Sequence, residues 1–167
     1  MSDYTDDRTA EKLLLAEPEN RYGADYRSHY LSLYRDYVNS ADAVSSRRNT
    51  ANGFFLTINS AFLGAKGYIK VSDNDFSWIL GAVGVLFCLV WWKLIQSYRT
   101  LNGAKFDVIQ LMERQLPLAA FTAEEYVYKT GTTVHRALST IESYVPALFG
   151  VLHVGAAILS ISGVAKQ

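Results

Sequence analysis

Three long runs without a charged residue constrain this chain more than any other feature: residues 49–65 (17 residues), 76–92 (17 residues) and 143–165 (23 residues). A hydrocarbon core about 30 Å thick takes roughly 20 residues of helix, so all three are candidate membrane spans. The first is at the short end and carries Asn49, Asn52, Thr57, Asn59 and Ser60. Such a helix is expected to turn one face towards other helices rather than lipid. The second has Trp78 near one end and Trp91 and Trp92 at the other, where tryptophan suits the two membrane interfaces. The third has Pro146 in its expected first turn and is long enough to cross with some tilt. Spans are therefore expected over about residues 49–69, 76–96 and 145–165.

Orientation follows from the basic residues. Arg8, Lys12, Arg21, Arg27, Arg35, Arg47 and Arg48 precede the first run, and Lys93, Arg99, Lys105, Arg114, Lys129 and Arg136 lie between the second and third. Those thirteen, of sixteen in all, fall on one side of the membrane. The positive-inside rule assigns that side to the cytoplasm, which puts the N-terminus inside and the C-terminus outside, periplasmic or extracellular. The expected location is the bacterial cytoplasmic (inner) membrane, crossed several times. Lysine plus arginine and aspartate plus glutamate are balanced at 16 each, which argues against nucleic acid as a partner. Residues 1–20 hold only a four-residue apolar patch, too short for the core of an export signal, and are expected as a flexible segment. With 167 residues there is room for one helical membrane domain, residues 21–167, and not for a separate soluble catalytic domain beside it.

The polar parts also read as helix. Between Tyr22 and Arg48 apolar residues recur at Tyr26, Tyr30, Leu33, Tyr34, Tyr37, Ala41 and Val44, one face of a helix that would run straight into the first span. The tyrosines suit core packing, or a face for a partner or the headgroup layer. After the second span Leu94, Tyr98, Leu101, Val108 and Met112 continue a helical stripe up to Pro117. Thr122 and Glu125 have capping-box spacing for a further helix, Gly131 interrupts it, and Val134, Leu138 and Ile141 resume helical spacing towards the third span. The expected fold is all-α, an integral membrane protein with three transmembrane helices and cytoplasmic helical extensions, chiefly residues 97–142.

Chemistry is sparse. His29, His135 and His153 lack any cysteine or second histidine at ligand spacing, so no metal is expected. No phosphate-binding loop, nucleophile elbow or intramembrane pair of carboxylates is present in the sequence. Neither an enzyme nor a cofactor is expected, and the single Cys88 reads as a small packing residue. Ser45, Asn52, Asn59 and Lys66 are spaced by seven and hold one polar stripe along the first span. They either hydrogen-bond between helices of an oligomer or line a watery pathway. His153, mid-span, is either a satisfied interhelical histidine or a proton sensor. Arg47, Arg48 and Arg99 sit at the cytoplasmic mouth. There they either anchor at headgroup level or pair with Asp42, Asp107 and Glu113 between helices or subunits.

The run ADAVSSRRNTANGFFLTIN (residues 41–59) entering the first span, and WWKLIQSYRTLNGAKFDVIQLMERQLP (residues 91–117) leaving the second, resemble the bacterial RipA-like family of small octameric inner-membrane proteins. The resemblance implies a cytoplasmic-membrane protein assembled as a homo-oligomer of eight subunits. Its expected role is a channel-like or scaffold assembly in envelope or stress adaptation. The alternative is a membrane-disrupting effector of an antiphage or conflict system, triggered by an unidentified sensor or ligand acting on the cytoplasmic helices. Partners on either reading are further copies of the chain and the lipid bilayer.

Overall fold

A computed structural model describes the backbone of residues 3–68, 77–130 and 136–164, and the side chains of residues 9–65, 78–130 and 142–159. Every regular element among the described residues is a helix: α1 (Asp3–Leu14), α2 (Glu19–Tyr22), α3 (Tyr26–Tyr68), α4 (Ser77–Glu113), α5 (Ala120–Thr130) and α6 (Arg136–Val164). Within residues 1–20 lie α1 and the start of α2. Helix α3 has 43 residues and α4 has 37, about 65 and 55 Å at 1.5 Å per residue, well beyond a bilayer's core. Both expected helical extensions are therefore continuous with the apolar runs they adjoin. Pro146 lies inside α6 rather than in its first turn, because the helix begins at Arg136. A proline there has no N–H to give the carbonyl four residues back, and the helix continues through it. The interruption expected at Gly131 and the spacing through Val134 lie outside the described residues, as do the side chains of Leu138 and Ile141.

Among the described residues two helices are long and apolar enough to cross a membrane, within Trp78–Glu113 and Glu142–Leu159. Along α4 the apolar run ends where Lys93 begins the charged part, and residues 97–113 lie beyond the expected span. Both apolar stretches are largely exposed, with Leu86 of α4 at 61% and Leu159 of α6 at 75%, as suits helices meeting lipid rather than water. Helix α3 does not reach the same hydropathy, since its asparagines, Thr57 and Ser60 dilute Phe54, Phe55, Leu56 and Ile58.

The chain divides into two compact units. The first, Met1–Val44 with Leu101–Gly131, contains α1, α2, the start of α3, the end of α4 and α5. The tyrosine stripe of α3 packs here: Tyr30 Oη donates to the Met112 carbonyl at 2.7 Å, and Lys105 Nζ lies 4.7 Å over the Tyr37 ring while donating to Ser40 Oγ at 2.7 Å. Ala41, Val44, Ile109, Leu111 and Met112 are buried. A cavity of about 380 Å³ opens in this unit between Leu14, Tyr22, Tyr26, Tyr30, Leu33 and Met112.

The second unit, Ser45–Thr100 with Thr132–Gln167, contains the remaining parts of α3 and α4 and all of α6. Its core is Phe55, Trp91 and Ile95, with Phe87, Leu94, Val145 and Phe149 packed against them. The Phe55 and Trp91 rings stack at 5.8 Å, and Trp91 meets Phe149 at 6.1 Å. Lipid is as apolar as these side chains, so in a bilayer such rings hold helices together by close packing and by the polar contacts they permit.

Candidate functional site

At the centre of the second unit a buried polar cluster joins its three helices. Asn59 of α3 and His153 of α6 are both 0% exposed. The Asn59 Nδ2 donates to the Phe55 carbonyl at 2.8 Å, which fixes the amide and aims its Oδ1 away from its own helix. That oxygen lies 3.1 Å from His153 Nε2 and accepts from Cys88 Sγ of α4 at 3.3 Å. An amide oxygen only accepts, so His153 carries a proton on Nε2 in this arrangement and Cys88 is a thiol. The imidazole occupies space opened by Gly84, where an added Cβ would overlap the ring. Two turns towards the N-terminus of α3, Asn52 Oδ1 accepts from Trp91 Nε1 at 2.9 Å. Three of these bonds tie α3 to both apolar helices, and the fourth, within α3, fixes the Asn59 amide. Each satisfies a group that would be costly to leave bare in hydrocarbon.

Asn52, Asn59 and His153 are thus brought together along one seam within a single chain. The side chain of Lys66 lies outside the described residues. Of the mouth residues, Arg48 Nε stands 3.7 Å from Glu142 Oε2, and Arg99 donates to Ser143 Oγ at 3.0 Å. Both arginines therefore reach the start of the apolar part of α6. Arg47, Asp42 and Asp107 are exposed.

Glu113, in the first unit, has a different role from ion pairing. At 1% exposure it closes α4 and accepts four hydrogen bonds: Phe121 N–H and Thr122 N–H, both at 2.8 Å, the Thr122 hydroxyl at 2.8 Å and the Tyr34 hydroxyl at 3.2 Å. Helix N-termini leave amides without intrahelical partners, and this carboxylate supplies the acceptor and suits the helix dipole. Burial alone would push the Glu113 carboxyl up, but the amides and hydroxyls outweigh it and hold it below the usual carboxylate range. The capping box expected of Thr122 and Glu125 does not form. Helix α5 starts two residues earlier, Thr122 bonds to Glu113, and Glu125 accepts from Lys129 at 2.5 Å and Gln110 at 2.6 Å. Those donors hold Glu125 below the carboxylate range. Burial, then the nearby Tyr26 and Glu11, pushes Tyr30 up to about 12, and burial beside the Glu113 charge raises Tyr34 as well.

Sequence reasoning missed the partners more than the residues: Cys88 as a donor, Trp91 as the mate of Asn52, Gly84 as the seat of His153, and Glu142 and Ser143 as the contacts of the arginines. Gly84 and Cys88 share a helical face four residues apart, a small-residue signal for close approach in a run of large apolar side chains. Among the described residues no group of three or more His, Cys, Asp or Glu side chains could hold a metal ion.

Long apolar helices with lipid-ready exteriors, joined by buried amide, imidazole and indole contacts, define a helical membrane protein. The chain belongs to the octameric membrane protein family (8xMP), whose model matches residues 31–162. That match extends from the tyrosine stripe of α3 through nearly all of α6. Comparison with curated proteins and with solved structures finds no match.

Proposed function

We propose that this chain forms a homo-octamer in the bacterial cytoplasmic membrane, each subunit crossing it three times, and acts as a channel-like or scaffold assembly in envelope or stress adaptation. The family match over residues 31–162 supports the octamer, and the observation that carries the third crossing is the Asn59 contact with Cys88 and His153. These two partners lie inside the apolar stretches of α4 and α6, so a bilayer around those stretches takes Asn59 to the same depth. Asn52 and Phe55 likewise meet Trp91. Helix α3 then enters the bilayer with its amides turned to protein, which accounts for its low hydropathy. The distribution of basic residues supports a cytoplasmic N-terminus and, with three crossings, a C-terminus outside. No reaction is proposed. A reporter active only outside the cytoplasm, fused after Gln167, is expected to be active; a fusion active only inside would refute the third crossing.

A second reading, a membrane effector triggered through its cytoplasmic helices, draws on the tyrosine-lined cavity of the first unit. Its volume of about 380 Å³ is within the range of small-molecule sites. A sensor or nucleotide-synthesising gene encoded beside this one would favour it.

A further inference from the structure

Two faces of the second unit have no function in the packing described above. The first is the outer surface of α3. At 100° per residue, Gly53, Thr57, Ser60 and Gly64 form one stripe turned roughly 80–140° around the helix from Asn52, flanked by the exposed Leu56 and Phe54, and all four are exposed. A Cβ added at Gly53 or Gly64 would meet nothing within 4 Å, so the subunit's own packing requires neither glycine. The Thr57 hydroxyl donates to the Gly53 carbonyl at 2.9 Å, which leaves this face slim and internally satisfied. The second is a groove of about 480 Å³ between α4 and α6, rimmed by Leu89 and Trp92 on one side and Val151 and Val154 on the other, with Cys88 and Gly150 in its floor. Cys88 turns its thiol to Asn59 of α3, so the groove lies across the α4 and α6 pair from α3.

We propose that these two faces meet between neighbouring copies: α3 of one subunit seats its small-residue face in the α4–α6 groove of the next. The inference rests on the octameric reading. A closed ring of identical subunits is built from head-to-tail contacts, which need two different, complementary faces on well-separated sides of each copy. This unit has one such pair, a slim ridge and a concave groove. Acyl chains compete equally for apolar surface, so helices associate in lipid where small residues permit close backbone approach. A surface meant for lipid alone has no need of Gly, Thr and Ser at these positions. Depth agrees too: Thr57 lies between Phe55, at the level of Trp91, and Asn59, at the level of Cys88 and His153, so it faces the middle of the groove.

The test is oxidative cross-linking in native membranes of a Thr57→Cys, Val151→Cys double variant, with Ser60→Cys, Val154→Cys as a second pair and native mass measured on each. Both pairs replace exposed side chains, and Cys88 is buried in the wild-type control. The expected result is a covalent ladder from two to eight subunits for the double variants and none for the wild type or the single variants. An octamer by mass without a ladder would overturn the proposal, leave the octamer standing and assign the groove to an acyl chain. Single variants that dimerise as strongly as the doubles would also overturn it, since like faces would then meet like. A monomeric mass would remove the octameric reading itself.

Discussion

Replacing Gly84 by alanine should destabilise the helix bundle, although alanine is the better helix former. The new Cβ would overlap the His153 ring, so the imidazole or one of the two helices must shift. Overpacking of this kind costs about 1–3 kcal/mol. Moving the ring also weakens the 3.1 Å contact from Nε2 to Asn59, for which about 0.6 kcal/mol is typical in membranes. Helix propensity returns up to about 1 kcal/mol. The net loss is at least about 0.6 kcal/mol and up to about 2.6 kcal/mol with the full propensity return, read as a lower unfolding midpoint in a denaturing-detergent titration. Gly103→Ala is the reference, because nothing lies within 4 Å of a Cβ there and only the propensity gain should register. A second change, His153→Ala, empties the space and should make Gly84→Ala close to harmless, giving a coupling of more than about 1 kcal/mol in the double-mutant cycle. Equal midpoints for Gly84→Ala and Gly103→Ala, or additive effects of Gly84→Ala and His153→Ala, would refute the packing described here.

Glu113→Gln should cost about 2 kcal/mol, the scale of hydrogen bonds to a charged group, and should speed hydrogen exchange at the Phe121 and Thr122 amides. Because the folded carboxyl titrates below its unfolded value, its contribution is complete above the ordinary carboxylate pKa and is lost as pH falls through the folded one. The protection of those amides, relative to their intrinsic exchange rate at each pH, should therefore fall in acid in the wild type, and the same acid dependence in Glu113→Gln would contradict it. Tyr30, at about 12, behaves in the opposite sense: its contribution is complete below about pH 10, the unfolded phenol value, and lost as pH climbs through 12. Ultraviolet titration should show a late phenol ionisation beside the raised Tyr34, diminished by one tyrosine in Tyr30→Phe, which should also lose about 1 kcal/mol with the bond to Met112. Asn52→Leu should strip the Trp91 indole of its acceptor, with a shift in tryptophan emission that Asn49→Leu, at an exposed position, does not produce.

The sequence was most legible where the signal is local. Apolar runs and a 3.6-residue period exposed the helical fold, the extension of α3 upstream of Asn49 and that of α4 beyond Lys93. The site residues Asn52, Asn59 and His153 stood out for a local reason, being polar groups within apolar runs. What they touch was illegible, because Asn59 and His153 are 94 residues apart and nothing in the period of either helix selects the other. The same holds for Glu113, whose place near the end of α4 suggested an ion pair at the membrane mouth but which caps α5 instead. Thr122 was correctly placed near a helix start; the acceptor for its hydroxyl came from the preceding helix, nine residues away in sequence. The first expected span, in α3, carries the weakest signal for a physical reason: its asparagines, Thr57 and Ser60 lower a hydropathy that is averaged around the whole helix.

The central claim, a ring of eight subunits in the membrane, is tested most directly by native mass spectrometry of the full chain extracted in a mild detergent. Eight copies per particle, unchanged on dilution, is the expected result. A monomer, or a defined assembly of another number, would contradict it.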